Sequence, residues 1–330
     1  MEYLPRRELL RLAVGAAAIS AVPGVACGQN YPTRPVTLVV SFPAGGPADA
    51  VARIIVERMR AALGQPVIIE NVAGANGSIG TGRVARASPD GYTLIVGVWN
   101  SHVANGAAYT LSYDVVNDFE PVGLVASYAQ LIVGKKDIPA DDLRGLIAWL
   151  TANPDKASQG HPGVGSQGHL GGIFFQKLTD TRFQHVPYRG LTFAMQDLVG
   201  GQIDLVFPDP ASALPLVRAG RIKAYAVAAP MRSAVAPEIP TVDEAGLPGF
   251  YVSNWVALFA PKGTPADVIP KLNDATVVTL ADPGTRQRLA DIGFEIPPRD
   301  QQSPAALAAF QKAEIEKWWP VIKGANIKGE

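Results

Sequence analysis

Early in the chain a short β-branched run, a glycine turn and an amphipathic stretch follow one another, and then the order repeats. Val36-Thr37-Leu38-Val39-Val40-Ser41-Phe42 is bounded by prolines and predicts a buried strand. The turn Pro43-Ala44-Gly45-Gly46-Pro47 follows, and beyond Asp49 the residues Val51, Ile54, Ile55, Met59, Ala62 and Leu63 recur on one helical face. A second strand is expected from Pro66 to Glu70, a helix around Ile79 to Ala87, and a third strand from Tyr92 to Val96. Strands that alternate with helices predict a parallel α/β sheet, whose ligands sit outside the carboxyl ends of the strands.

A second α/β block begins near Gln130. A helix is expected from Asp141 to Thr151, and the glycine loop Gly160 to Gly168 precedes a helix at His169 to Leu178. Strands are expected at Phe183 to Tyr188, Gln202 to Phe207 and Tyr225 to Ala229, with a helix at Leu214 to Ala219. Val252 to Phe259 reads as a strand long enough to return to the first block, and the remainder is helical. This places residues 29–129 and 252–330 in one lobe and 130–251 in the other, joined by two crossings.

Composition narrows the function. With 29 Lys+Arg against 29 Asp+Glu the net charge is zero, which argues against a nucleic-acid partner needing a basic stripe. Cys27 is the single cysteine, so neither an intramolecular disulfide nor a cysteine metal cluster forms. The 33 Gly and 28 Pro imply many tight turns and backbone-lined loops. Residues 1–28 carry Arg6-Arg7, an apolar stretch from Leu12 to Val22, and small residues through Gly28, the pattern of an export signal. Both twin-arginine and ordinary secretory export fit. Lipidation of Cys27 is the lesser reading, because Gly24 is a poor residue three places before it.

Gly163-Val164-Gly165-Ser166-Gln167-Gly168 fits the dinucleotide pattern GxGxxG but lacks the acidic residue that should follow it for the ribose, so no cofactor is expected. Ser166 fails the GxSxG nucleophile pattern, since Val164 stands at the first glycine position. No HxH, HExxH or carboxylate cluster predicts a metal site. What the loops at Ala44 to Gly46 and Gly165 to Gly168 offer is exposed backbone N–H groups at helix starts, where an anion is favoured.

Several segments together resemble the Bug family of periplasmic solute-binding proteins, which serve tripartite tricarboxylate transporters. They are Phe42-Pro43-Ala44-Gly45-Gly46 with Asp49, Ala73-Gly74-Ala75-Asn76-Gly77, Ser88-Pro89-Asp90-Gly91-Tyr92, Gly163-Val164-Gly165-Ser166 with His169-Leu170, and His185-Val186-Pro187-Tyr188. The resemblance implies a two-lobed type II periplasmic binding protein architecture that closes over a small organic carboxylate. It also implies a monomer that hands the solute to membrane permease subunits and performs no catalysis. Carried onto this chain, the ligand-binding residues are Phe42, Pro43, Ala44, Gly45, Gly46 and Asp49 in the first loop. To these it adds Ser101, His102 and Asn105 in a polar loop after a first-lobe strand, and Ser166, Gln167, Gly168, His169 and Tyr188 in the second lobe. His161 and Asp209 depart from the family pattern and are candidates for selecting the ligand. A solute-presenting sensor subunit for a histidine kinase and an exported hydrolase are the alternative functions.

Overall fold

The computed structural model describes residues 31–327, so the export signal expected at 1–28 lies outside the described residues. Its frame is two five-stranded sheets. The first contains β1 (Val36–Val40), β2 (Val67–Asn71), β3 (Thr93–Val98), β4 (Phe119–Ala129) and a late strand, β10 (Ser253–Pro261). Their order is β2-β1-β3-β10-β4, with β1 parallel to both neighbours and β10 antiparallel to β3 and β4. The second contains β5 (Leu131–Lys135), β6 (Ser158–His161), β7 (Gln184–Pro187), β8 (Leu205–Val206) and β9 (Ile222–Val227), in the order β7-β6-β8-β5-β9. Sequence reading missed the long β4 and overextended β8, which pairs with its neighbours over only two residues.

The chain crosses between the sheets twice, at Gln130 and again ahead of Ser253. The crossings are tied to one another: Gln130 N–H donates to the Val252 carbonyl at 2.9 Å, and Ala228 N–H to the Gln130 carbonyl at 2.8 Å.

Helices cover both faces of each sheet. Against the first sheet lie α1 (Pro47–Leu63), α2 (Ser78–Ala85) and a helical segment in which a π-turn, Asn100–Ala104, runs into α3 (Asn105–Ala108). The second carries α4 (Leu143–Ala152), α5 (Gln167–Thr179), α6 (Leu191–Val199) and α7 (Pro210–Arg218). After β10 the chain returns through α8 (Val268–Ala281), α9 (Pro283–Asp291) and α10 (Pro304–Gly324). The expected helix at 79–87 thus appears within two residues of its observed ends.

One apolar cluster runs without interruption from the first lobe into the second. Trp99, Trp255 and Trp318 join Phe175, Phe207 and Phe250 in it, all at most 2% exposed. Trp318, on α10, packs edge-on against Trp99 at 5.3 Å and against Phe174 of α5 at 5.5 Å. The adjacent Lys317 ammonium donates to the Tyr251 carbonyl just before β10. The C-terminal helix therefore clamps both lobes at the crossings.

Replacing Trp318 with alanine removes a fully buried indole that nothing adjacent is shaped to fill. Chemical denaturation should show a loss of about 3–5 kcal/mol, whereas Phe193→Ala, at a side chain 55% exposed, should stay within about 0.5 kcal/mol.

Candidate functional site

The first βα loop is built around one carboxylate. Asp49, 1% exposed in the first turn of α1, accepts the Gly45 N–H at 2.8 Å on Oδ2 and the Asn71 amide at 3.0 Å on Oδ1. Arg53, one turn along, closes a two-pronged contact at 2.7 and 3.1 Å. Asn71 also donates to the Phe42 carbonyl at 3.1 Å, so the end of β2 holds both sides of the loop. The Arg53 hydrogen bond, against the opposing effect of burial, holds the Asp49 carboxyl down at about 2. Its charge is thus already balanced before any ligand arrives.

The loop leaves backbone donors open. Gly46 is the N-cap of α1 and offers no side-chain acceptor, and Pro47 has no N–H to satisfy. The N–H groups of Ala48 and Asp49 are the orphan donors of this helix start. Gly45 sits at φ +84°, where an L side chain is strained, and a Cβ there would project into open space.

In front of this helix start lies a cavity of about 330 Å³, lined by Phe42, Pro43, Gly46, Pro47 and Ala48 and by Val98, Asn100, Tyr128, Asn254, Val256 and Phe294. Its size suits a small molecule. No lining residue carries a formal charge. Polar side chains come from Asn100 and from the ends of β4 and β10: Asn254 donates its side-chain amide to the Tyr128 hydroxyl at 3.1 Å while its Oδ1 accepts the Trp255 N–H at 2.9 Å. Tyr128 therefore receives one hydrogen bond and keeps its proton free to donate. Burial first, and the nearby Asp209 charge second, push its pKa well above the ordinary tyrosine value, so the proton stays.

A second cavity of about 240 Å³ shares Gly46, Pro47, Tyr128 and Phe294 with the first and adds Gly45, Gly293, Asp209, Ala211 and Ser212. Here the lobes meet. Asp209 is the N-cap of α7, accepting from the Ser212 N–H and hydroxyl, each at 2.8 Å. Gly293 of the first lobe approaches Ala211 so closely that a Cβ would lie 3.4 Å from the alanine methyl.

The expected site residues divide three ways. Phe42, Pro43, Gly45, Gly46 and Asp209 line the two cavities, with Ala44 exposed between them and Asp49 organising the loop from below. Ser101, His102 and Asn105 are corrected from a cleft loop to helical positions that are 0% exposed. The His102 ring stacks on Phe259 at 4.3 Å, and burial lowers its pKa to about 3. Ser101 bonds the His102 ring at 2.9 Å, and Asn105 braces Asn76 and Ser78. Asn100, one residue earlier, is the member of this segment that reaches the cavity.

The second-lobe group, Ser166 to His169, lines neither cavity. Ser166 caps α5 by accepting the His169 N–H at 3.3 Å, and Gln167 reaches the Ser253 carbonyl at the crossing. Gly168 lies close to Pro162. The His169 ring takes the Gly165 N–H at 3.1 Å instead of the Ser166 hydroxyl, so no nucleophile and base pair forms between them. Tyr188 donates to Asp197 at 2.7 Å. His161 ends β6, where its ring stacks on His169 at 4.3 Å and lies near His185, three imidazoles that no sequence spacing had grouped.

Tyr128 and Asn254 escaped sequence reading because they converge from strands far apart in the chain. The usable signal was their place at the same end of the sheet as the glycine loop.

Comparison with known proteins agrees with this architecture. The tripartite tricarboxylate transporter family receptor model, TctC, matches residues 51–327. Protein BugT of Bordetella pertussis is 32% identical, over 97% of this chain and all of its own. MatC of Rhodopseudomonas palustris, solved with bound malate, is 40% identical with a TM-score of 0.73, covering 88% of this chain and 100% of that one. An R. palustris protein solved with adipate is 34% identical with a TM-score of 0.75, covering 90% and 99%. A two-lobed fold, an uncharged cavity before an open helix start and these relatives lead to one assignment: the chain belongs to the TctC family of tripartite tricarboxylate transporter receptors, as a solute-binding protein of the Bug type.

Proposed function

We propose that the protein captures a small organic carboxylate between its lobes and delivers it to the membrane subunits of a tripartite tricarboxylate transporter. The observation that carries this reading is the convergence of the open α1 start, the Tyr128 hydroxyl and Asn100 on one cavity without a formal charge. One carboxylate can be held there by donors alone, because the helix macrodipole and a largely apolar lining strengthen each hydrogen bond. The malate and adipate bound by the two R. palustris relatives make a short dicarboxylate the favoured class. Its second carboxylate would reach toward the Ser212 side of the interlobe cavity. Binding would draw the lobes together by preferring the closed arrangement.

This role is extracytoplasmic, with residues 1–28 as the export address, and the chain acts as a monomer that leaves its solute unchanged. A hydrolase reading finds no support in Ser166, whose hydroxyl serves as a helix cap.

Isothermal titration with malate, succinate and adipate should give saturable binding for at least one, and the uncharged diamide of the same acid should give none. Absence of binding by every carboxylate would sink the ligand class. Prolonged incubation should return the acid intact by mass spectrometry.

Tyr128→Phe keeps the ring against Phe294 and removes the free proton. It should weaken carboxylate affinity by about 10-fold, the worth of one hydrogen bond to a charged group, while leaving the melting temperature nearly unchanged.

Asp49 links the site to acid stability. Its folded pKa of about 2 lies below the ordinary 3.8, so its contribution is complete above pH 3.8 and is lost as the pH falls toward 2. Denaturation of Asp49→Asn compared with the parent should show a stability deficit on the order of 2 kcal/mol at neutral pH that shrinks through this acid window. A deficit that stays constant across it would remove Asp49 as the ionised anchor.

A further inference from the structure

We propose that His161, His169 and His185 form a binding site for a divalent transition-metal ion of the zinc class, separate from the carboxylate cavity. The three residues come from the end of β6, the first turn of α5 and the neighbouring strand β7, and their ligating nitrogens lie within 4.8 Å of one another. Ring centres are 4.3 Å apart for His161 and His169, 5.0 Å for His169 and His185, and 6.1 Å for His161 and His185. Nitrogens around a tetrahedral zinc stand about 3.3 Å apart, so modest ring rotations bring the set into range.

The surrounding hydrogen bonds fix which nitrogens carry lone pairs. The Gln159 amide donates to the carbonyls of Gly160 and Gly168, each at 3.1 Å, which turns its oxygen toward His185. That oxygen accepts from His185 Nδ1 at 2.9 Å, leaving Nε2 as the lone pair. His161 Nδ1 likewise donates to the Gly163 carbonyl at 2.8 Å and leaves its Nε2 free. A ring N–H on a carbonyl oxygen is the outer contact that orients metal-binding histidines. His169 offers Nδ1, which now accepts the Gly165 N–H at 3.1 Å.

Metal entry therefore exchanges two hydrogen bonds, this one and that from the Gln176 amide to His185 Nε2 at 2.9 Å. Gly172 keeps the space open, since a Cβ there would stand 2.7 Å from the Gln159 oxygen and 2.8 Å from His185 Cε1. Burial, with the mutual repulsion of the rings, lowers the pKa of His169 and of His185 to about 4, and burial lowers that of His161 as well. His169 Nδ1 and His185 Nε2 already accept hydrogen bonds, so each presents the lone pair a metal requires. Three protein ligands leave one coordination position for water or another oxygen donor.

The test uses untagged, chelator-treated protein without added carboxylate, so that its outcome is independent of the proposed transport ligand. Zinc titration by calorimetry should give one site per chain, and cobalt should produce the intense visible bands of tetrahedral nitrogen coordination. His161→Asn and His185→Gln, each checked for native circular dichroism, should bind zinc at least about 100-fold more weakly. The proposal is overturned if the parent binds no zinc, if cobalt gives only the pale spectrum of six-coordinate water, or if both folded variants bind like the parent.

Discussion

The site rests on the carboxylate of Asp49. An acidic residue in the first turn would ordinarily compete with an anionic ligand for the positive end of the helix. Here the carboxylate is spent on Gly45, Asn71 and Arg53, so it shapes the loop without projecting unbalanced charge into the cavity. Gly45 is drawn back toward the helix while Gly46, Pro47 and Ala48 remain at the cavity wall. Because Asn71 belongs to β2 and Phe42 follows β1, the loop geometry is inherited from two paired strands and not from the loop itself.

The neutral composition raises the question of how a chain with no surplus of positive charge would recognise an acid, and the proposed cavity offers an answer. The wall before α1 supplies directed donors in place of charges, and the hydroxyl of Tyr128 retains its proton because burial and Asp209 both disfavour the phenolate. The continuous aromatic core through Trp255, Trp318 and Phe250 packs across the two crossings and ties one lobe to the other there.

Much of the fold was legible because the βα units are local. The run Val36 to Val40 is β-branched, its glycine turn is adjacent and the apolar face of α1 repeats at helical spacing, so strand, loop and helix each follow from a few neighbouring residues. Site residues from distant strands were not legible. Nothing near Tyr128 or Asn254 marks them, and only pairing of β4 with β10 brings them together. His102 misled for the opposite reason: a polar residue after a strand reads as a cleft residue, but here the ring stacks on Phe259 in the core and its Nδ1 shares a hydrogen bond with Ser101, while Nε2 is buried without a partner among the described residues. The His161, His169 and His185 group shows the same limit, since its members meet through the pairing of β6 with β7 and the start of α5.

Open backbone donors at the start of α1 are proposed to hold the ligand carboxylate. Amide NMR of the labelled protein, titrated with whichever short dicarboxylate binds, tests it directly. The Ala48 and Asp49 amides should show the largest downfield shifts, with the Tyr128 ring responding beside them. Shifts concentrated elsewhere, with these two amides unmoved at saturation, would contradict it.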